Sequence, residues 1–162
     1  MKQTFGATER HDQLIVYGKG KKAILIYGYG EENGQGYDWR HEFTHMPTKQ
    51  EVYQIITNHI DSQVDLKILK GFQWTPEKSE TINVWLSAEN QRNFSEAQRM
   101  GDVPTTFKLG EDADKKPVYH TFETTEELDD FYHKAYAYIK QCLGEGWIEK
   151  DTAMAWVESI DI

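Results

Sequence analysis

PTKQEVYQIITNHIDSQVDLKILKGFQW, residues 47–74, carries two periodicities side by side. Thr48 stands where a helix N-cap belongs, and Glu51, three residues on, can complete a capping box. From there Val52, Ile56, Ile60, Val64 and Ile68 recur every fourth residue, the stripe of an amphipathic helix. Gly71 closes it in the position a helix C-terminal glycine takes. Directly beyond, GFQWTPEKSETINVWL changes to a strand pattern and reads as a hairpin with Thr75 to Glu80 as its loop.

The same alternation of helix and strand pair continues in both directions. Ser87 caps a short helix carrying Phe94, Ala97 and Met100. VPTTFKLG and KPVYHTF form a second hairpin around EDADKK, and Thr124 to Glu127 is a second capping box. The last helix has Leu128, Phe131, Tyr132, Ala135, Tyr138, Ile139 and Leu143 on its apolar face. It weakens near Gly144 and Gly146 and continues or restarts through Trp147 to Trp156. Upstream, QLIVYGKGKKAILIYGYG reads as a hairpin turning at Gly18 to Lys21, GEENGQG breaks the chain, and YDWRHEFTH is a third β-rich run.

Strands in adjacent antiparallel pairs with helices between them define an α+β fold, with hairpins or a meander and three main helices. Residues 1–47 are expected as an N-terminal β-rich segment and 48–162 as a helix–hairpin–helix–hairpin–helix region, packed together as one compact domain. A chain of 162 residues buries roughly 70% of the surface its unfolded form exposes, so it needs no disulfide or metal staple. Aromatics at 13%, with five tryptophans and nine tyrosines, exclude a disordered chain.

With 27 acidic against 18 basic residues, the net charge of −9 argues against nucleic acid as a partner. The only basic cluster, Lys19, Lys21 and Lys22, falls at a hairpin tip. Cys142 stands alone, so no intrachain disulfide forms and a reducing compartment is the default. MKQTFGATER has no apolar signal core, and no stretch approaches a membrane span. The expectation is a soluble protein made in the cytoplasm, a starting point it would share with a virion component.

His41, Glu42 and His45 have the His-Glu-x-x-His spacing of zinc proteases, which works only on a helix. Pro47 disfavours helix at Met46, and YDWRHEFTH alternates with period two. On a strand Trp39, His41, Phe43 and His45 share one face while Glu42 takes the other, where it cannot serve them as a base. No third-ligand motif follows, although Asp61 and Asp65 could offer an oxygen.

The remaining candidates have plainer readings. Residues 111–116 lack the third oxygen ligand, the glycine and the closing glutamate of a calcium loop. Gly28, Gly30, Gly34 and Gly36 are turn glycines rather than a phosphate cradle, since no helix follows them. Cys142 is a buried structural thiol, His120 and His133 have no spaced partner, and Glu126, Glu127, Asp129 and Asp130 are a helix N-terminal charge bias. No catalytic, cofactor-binding or metal residue is assigned. In AILIYGYG, Ala23, Leu25, Tyr27 and Tyr29 share one face and Ile24 and Ile26 the other. Such a strand is covered on both sides or leaves an aromatic contact surface, with Tyr37 and Trp39 nearby, for a sugar or a protein.

The succession LKILKGFQW, VWLSAENQRNF, VPTTFKLG, KPVYHTF and TTEELDDFYHKAYAYIKQCL resembles a tail-associated domain of unknown function found in tailed phages and prophages. The resemblance covers residues 60–155; the first fifty residues depart from it. It implies a non-enzymatic structural or assembly role in or beside a phage tail, through protein partners such as tail or fibre components, with no cofactor and with a homo-oligomer as the natural state. The alternatives are a carbohydrate- or peptide-binding module using the aromatic face and, more remotely, a zinc hydrolase at HEFTH.

Overall fold

A computed structural model describes residues 1–162 and gives an α+β protein. In chain order the elements are β1 (Lys2–Phe5), β2 (Gln13–Tyr17), β3 (Lys22–Glu32), β4 (Gln35–Phe43), α1 (Lys49–Lys70), β5 (Phe72–Trp74) and β6 (Ile82–Val84). They continue with α2 (Ala88–Met100), β7 (Thr105–Glu111), β8 (Pro117–Phe122) and α3 (Thr125–Ser159). All three sheets are antiparallel. No helix is long and apolar enough to cross a membrane.

The chain divides into two compact units. The first holds residues 1–62 and 147–162, the second residues 63–146. Both divisions fall inside helices, α1 and α3, rather than in loops. The β-rich segment up to residue 47 belongs wholly to the first unit.

In the first unit a four-stranded sheet runs β1-β4-β3-β2. GEENGQG does not break the chain, as its glycines suggested. The turn is confined to Asn33 and Gly34, with φ of 51° and 76°, and the strands continue on both sides of it. Two successive positive φ values match the right-handed twist of a hairpin, which is why Asn-Gly serves here. A fourth strand, β1, had no signal strong enough to be expected. It pairs Lys2 to Phe5 with Arg40 to Tyr37, closing the edge of β4.

Directly opposed residues of an antiparallel pair point to the same side. Ala23, Leu25 and Tyr27 of β3 therefore share a face with Phe43, His41 and Trp39 of β4. Ala23, Leu25, Tyr27 and Phe43 are buried there, together with Val52, Ile56 and Ile60 of α1 and Ala153 and Val157 of α3. Each fully buried aliphatic side chain contributes about 1.5–3 kcal/mol, so the stripe read from the sequence holds the helix in place. A register shift between Tyr27 and Gly30 interrupts the alternation, and Tyr29 leaves the buried series to donate to Glu31 at 2.7 Å.

The second unit gathers Phe72, Trp74, Val84, Leu86, Phe94, Leu109, Phe122, Leu128 and Phe131 around one core. Its two hairpins adjoin through Trp85, whose N–H donates to the Leu109 carbonyl at 2.8 Å. Ser87 caps α2 as expected, accepting from the Asn90 N–H, and Gly101 ends the helix in the left-handed conformation. Gly144 and Gly146 do not interrupt α3, which runs unbroken from Thr125 to Ser159. Each glycine costs a helix about 1 kcal/mol, and buried turns on either side, at Cys142 and at Ala153, outweigh that.

Candidate functional site

Strand geometry decides the His-Glu-x-x-His stretch. His41, Glu42 and Phe43 lie in β4, opposite Leu25, Ile24 and Ala23, so Glu42 points away from His41, and His45 lies beyond the end of the strand instead of continuing its face. Phe43 stands between the imidazoles, in edge-to-face contact with His41 at 4.7 Å and His45 at 6.1 Å. His45 is committed elsewhere, with Nε2 2.9 Å from Glu51 Oε1. Glu51 also accepts from the Thr48 N–H at 2.8 Å while its own N–H donates to Thr48 Oγ1, the reciprocal capping box. The Thr48 and His45 bonds hold the Glu51 carboxyl below its usual range. The segment thus acts as a strand and a helix cap. No three His, Cys, Asp or Glu side chains converge closely enough to hold a metal ion.

Residues 111–116 form a self-contained turn. Asp112 Oδ1 accepts from the Asp114 and Lys116 N–H groups at 2.9 and 3.0 Å, so its oxygen serves the backbone. Cys142 is buried in the second unit's core. His133 Nδ1 lies 2.7 Å from the Asp129 carbonyl, one helical turn back. His120, which the sequence leaves alone, has a partner. Its Nε2 is 2.5 Å from Glu127 Oε1, and its ring meets Trp74 edge-on at 5.0 Å. This removes half of the second capping box: Thr124 Oγ1 still accepts from the Glu127 N–H, but the carboxylate has turned to the imidazole.

The most connected polar cluster in the molecule lies in the first unit, and no local pattern announced it. Arg10 donates to Asp12 at 2.9 Å and to Glu149 at 2.8 Å, and its guanidinium lies 5.0 Å above the Tyr27 ring. Tyr27 also donates to Glu149, at 2.5 Å. Asp12 Oδ1 accepts from the Gly28 N–H at 2.7 Å. Burial alone would raise the Glu149 pKa, but the hydrogen bonds from Arg10 and Tyr27 outweigh it and lower the value. Burial and the Glu149 bond raise that of Tyr27, keeping it protonated. Glu149 is a fixed anion with two donors on one oxygen. The cluster fastens the segment around residues 10–12 to β3 and α3.

Beside it runs a chain of aromatic contacts: Phe5 to Tyr37 at 5.7 Å, Tyr37 to Trp39 at 5.8 Å, and Trp39 to His59 at 4.6 Å. Tyr27 is buried, while Tyr29, Tyr37 and Trp39 are half-buried, so the rings do not form one exposed platform. His59 was legible in principle, since it follows Val52 by seven residues and Ile56 by three on the buried face of α1.

Neither a family model, a curated protein nor a solved structure matches the chain.

Burial pushes the His59 pKa down from 6.5 to about 4. Above the ordinary value both folded and unfolded chains carry a neutral ring. As pH falls from about 6.5 to 4 the unfolded chain takes the proton first, so stability drops, then levels off once the folded ring also titrates. Because the ring is only half-buried, solvent screening reduces the expected loss to about 1–2 kcal/mol. Urea midpoints at pH 7.5 and 4.5, compared between the native chain and His59→Leu, isolate this contribution. Parallel losses in both proteins would contradict it.

Proposed function

We propose that this chain is a non-enzymatic protein that works through protein–protein contacts, as a structural or accessory part of a phage or prophage tail. The observation that carries the contact reading is the pair Trp147 and Ile148 on α3, 62% and 69% exposed. Met154, two turns further along the same helix, is 47% exposed. Trp147 and Met154 share one face of α3, with Ile148 one position round from it. Large apolar side chains left in solvent along a helix face mark a surface that a partner covers, each buried one contributing about 1.5–3 kcal/mol. The tail context rests on the resemblance over residues 60–155. It is supported by the succession of helix, hairpin, helix, hairpin and helix from Lys49 to Ser159.

Tail parts follow rotational symmetry, so the protein is expected to be a trimer or hexamer by light scattering across a concentration series. The double substitution Trp147→Asp and Ile148→Lys should convert it to a monomer with an unchanged circular dichroism spectrum. A native chain that stays monomeric at every concentration removes the self-assembling tail component.

A further inference from the structure

Within the second unit α2 and α3 leave a pocket of 330 Å³ between them. Leu86, Phe94 and Ala135 are its buried apolar lining, Ile139 and Tyr132 continue it half-buried, and Tyr136 stands exposed beside it. Ser95 of α2 and Ala135 of α3 are the smallest side chains on its lining, and the space lies over them. Three of the polar side chains on the wall already have partners: Tyr132 donates to Ser95 Oγ at 3.4 Å, and Gln91 donates to the Leu86 carbonyl at 2.7 Å. An apolar body entering the pocket therefore leaves no hydrogen-bonding group newly stranded on those side chains.

The charge at this pocket is opposite to that of the chain. Against a net charge of −9, no carboxylate lines it. The only ionic group on the lining is Arg92, which is exposed and forms neither an ion pair nor a side-chain hydrogen bond. A second cation stands close by, the Lys140 ammonium 5.6 Å above the Tyr136 ring. Glu96, the carboxylate four residues after Arg92 on α2, is paired with Arg99 instead. An arginine fork free of intramolecular partners at the mouth of an apolar pocket suits a planar carboxylate, which it can engage through two parallel N–H groups.

We infer that the pocket between α2 and α3 binds a small apolar carboxylic acid, its ring or branched chain against Phe94, Leu86 and Ile139 and its carboxylate on Arg92. The volume is at the lower end of ligand pockets, room for a single ring with a short acid tail rather than a length of peptide. The pocket lining shares no residue with the Trp147 and Ile148 surface, so the two proposals fail or stand independently.

The test is an NMR titration of the 15N-labelled protein with 3-phenylpropionate and, in parallel, with its uncharged amide. Shifts are expected at residues 91–95 and 132–140, with the acid binding about 10-fold more tightly than the amide, the ratio one charge-assisted contact supplies. Arg92→Glu, a change at an exposed position, should weaken the acid about 10-fold or more and leave the amide unchanged. Ser95→Phe, which fills the pocket from its wall, should abolish both. Equal affinity for acid and amide, an acid affinity unaffected by Arg92→Glu, shifts confined to other residues, or no shift up to millimolar probe would each overturn the proposal.

Discussion

Phe131→Ala will lower the unfolding free energy by about 3–5 kcal/mol, the largest effect expected from any single truncation in the second unit. The Phe131 side chain is fully buried on α3 and lies within ring-pairing distance of four others. Trp74 is at 4.8 Å, Phe122 at 4.9 Å, Phe94 at 5.0 Å and Phe72 at 6.1 Å. These come from β5, β8 and α2, so one ring of α3 touches three other elements of the unit. Removing it takes away apolar burial and leaves a cavity that a rigid aromatic shell cannot close. Domains are stable by only about 5–15 kcal/mol, so the loss is a large fraction of the total. Phe131→Leu, which keeps most of the volume, should cost under about 2 kcal/mol. Urea unfolding followed by tryptophan fluorescence measures both, and a loss below about 1 kcal/mol for the alanine variant would show that the ring is not the centre of the packing.

Gly71→Ala is the second large effect, and it acts through the backbone. Gly71 ends α1 at φ +84°, with its N–H donating to the Ile68 carbonyl at 2.9 Å. A methyl group there would sit 1.8 Å from the Val84 carbonyl oxygen, which belongs to β6. The left-handed conformation alone costs an alanine about 1–2 kcal/mol. The overlap adds to that, because the first residue of β5, Phe72, is paired with Val84 and cannot retreat without losing the ladder. The sum should reach about 3–4 kcal/mol. Gly34 supplies the control: it has φ +76°, but a methyl group there would meet nothing within 4 Å, so Gly34→Ala should cost only the conformational part, about 1–2 kcal/mol. Equal losses at the two glycines would mean that the approach of Val84 is not rigid.

What could be read from the sequence was what short stretches of chain decide for themselves. The four-residue stripe from Val52 to Ile68, the capping pair Thr48 and Glu51, and the turn at Gly18 to Lys21 act over a few residues, and each stands in the structure where the pattern placed it. The alternation in YDWRHEF was likewise sufficient to make it a strand despite its zinc-protease spacing. What escaped depended on distant partners. Lys2 to Phe5 has no strand pattern of its own and is extended because β4 offers it an edge. The two glycines of α3 are tolerated because the turns around them are buried. Arg10 meets Glu149 across 139 positions of sequence, and His120 leaves its apparent isolation only when β8 is set beside the first turn of α3. The two capping boxes look alike in sequence. Each glutamate has an imidazole within reach, but Glu51 keeps Oε2 on the Thr48 N–H while Oε1 meets His45, whereas Glu127 gives its carboxylate to His120 and leaves the helix end.

The division of the chain at residues 62 and 147 also sets an order of events at the ribosome. Residues 63–146 form a unit whose whole sequence is contiguous, so it can close on itself as soon as it has emerged. The first unit cannot. Its sheet and the opening turns of α1 are made early, yet Glu149, Ala153 and Val157 arrive only after the entire second unit has been translated. At usual elongation speeds that interval is on the order of ten seconds. Throughout it Tyr27 lacks its acceptor and Arg10 one of its two carboxylates, and part of the β3 face lacks its cover. The nascent first unit therefore stays open on that face until the last turns of α3 have been made.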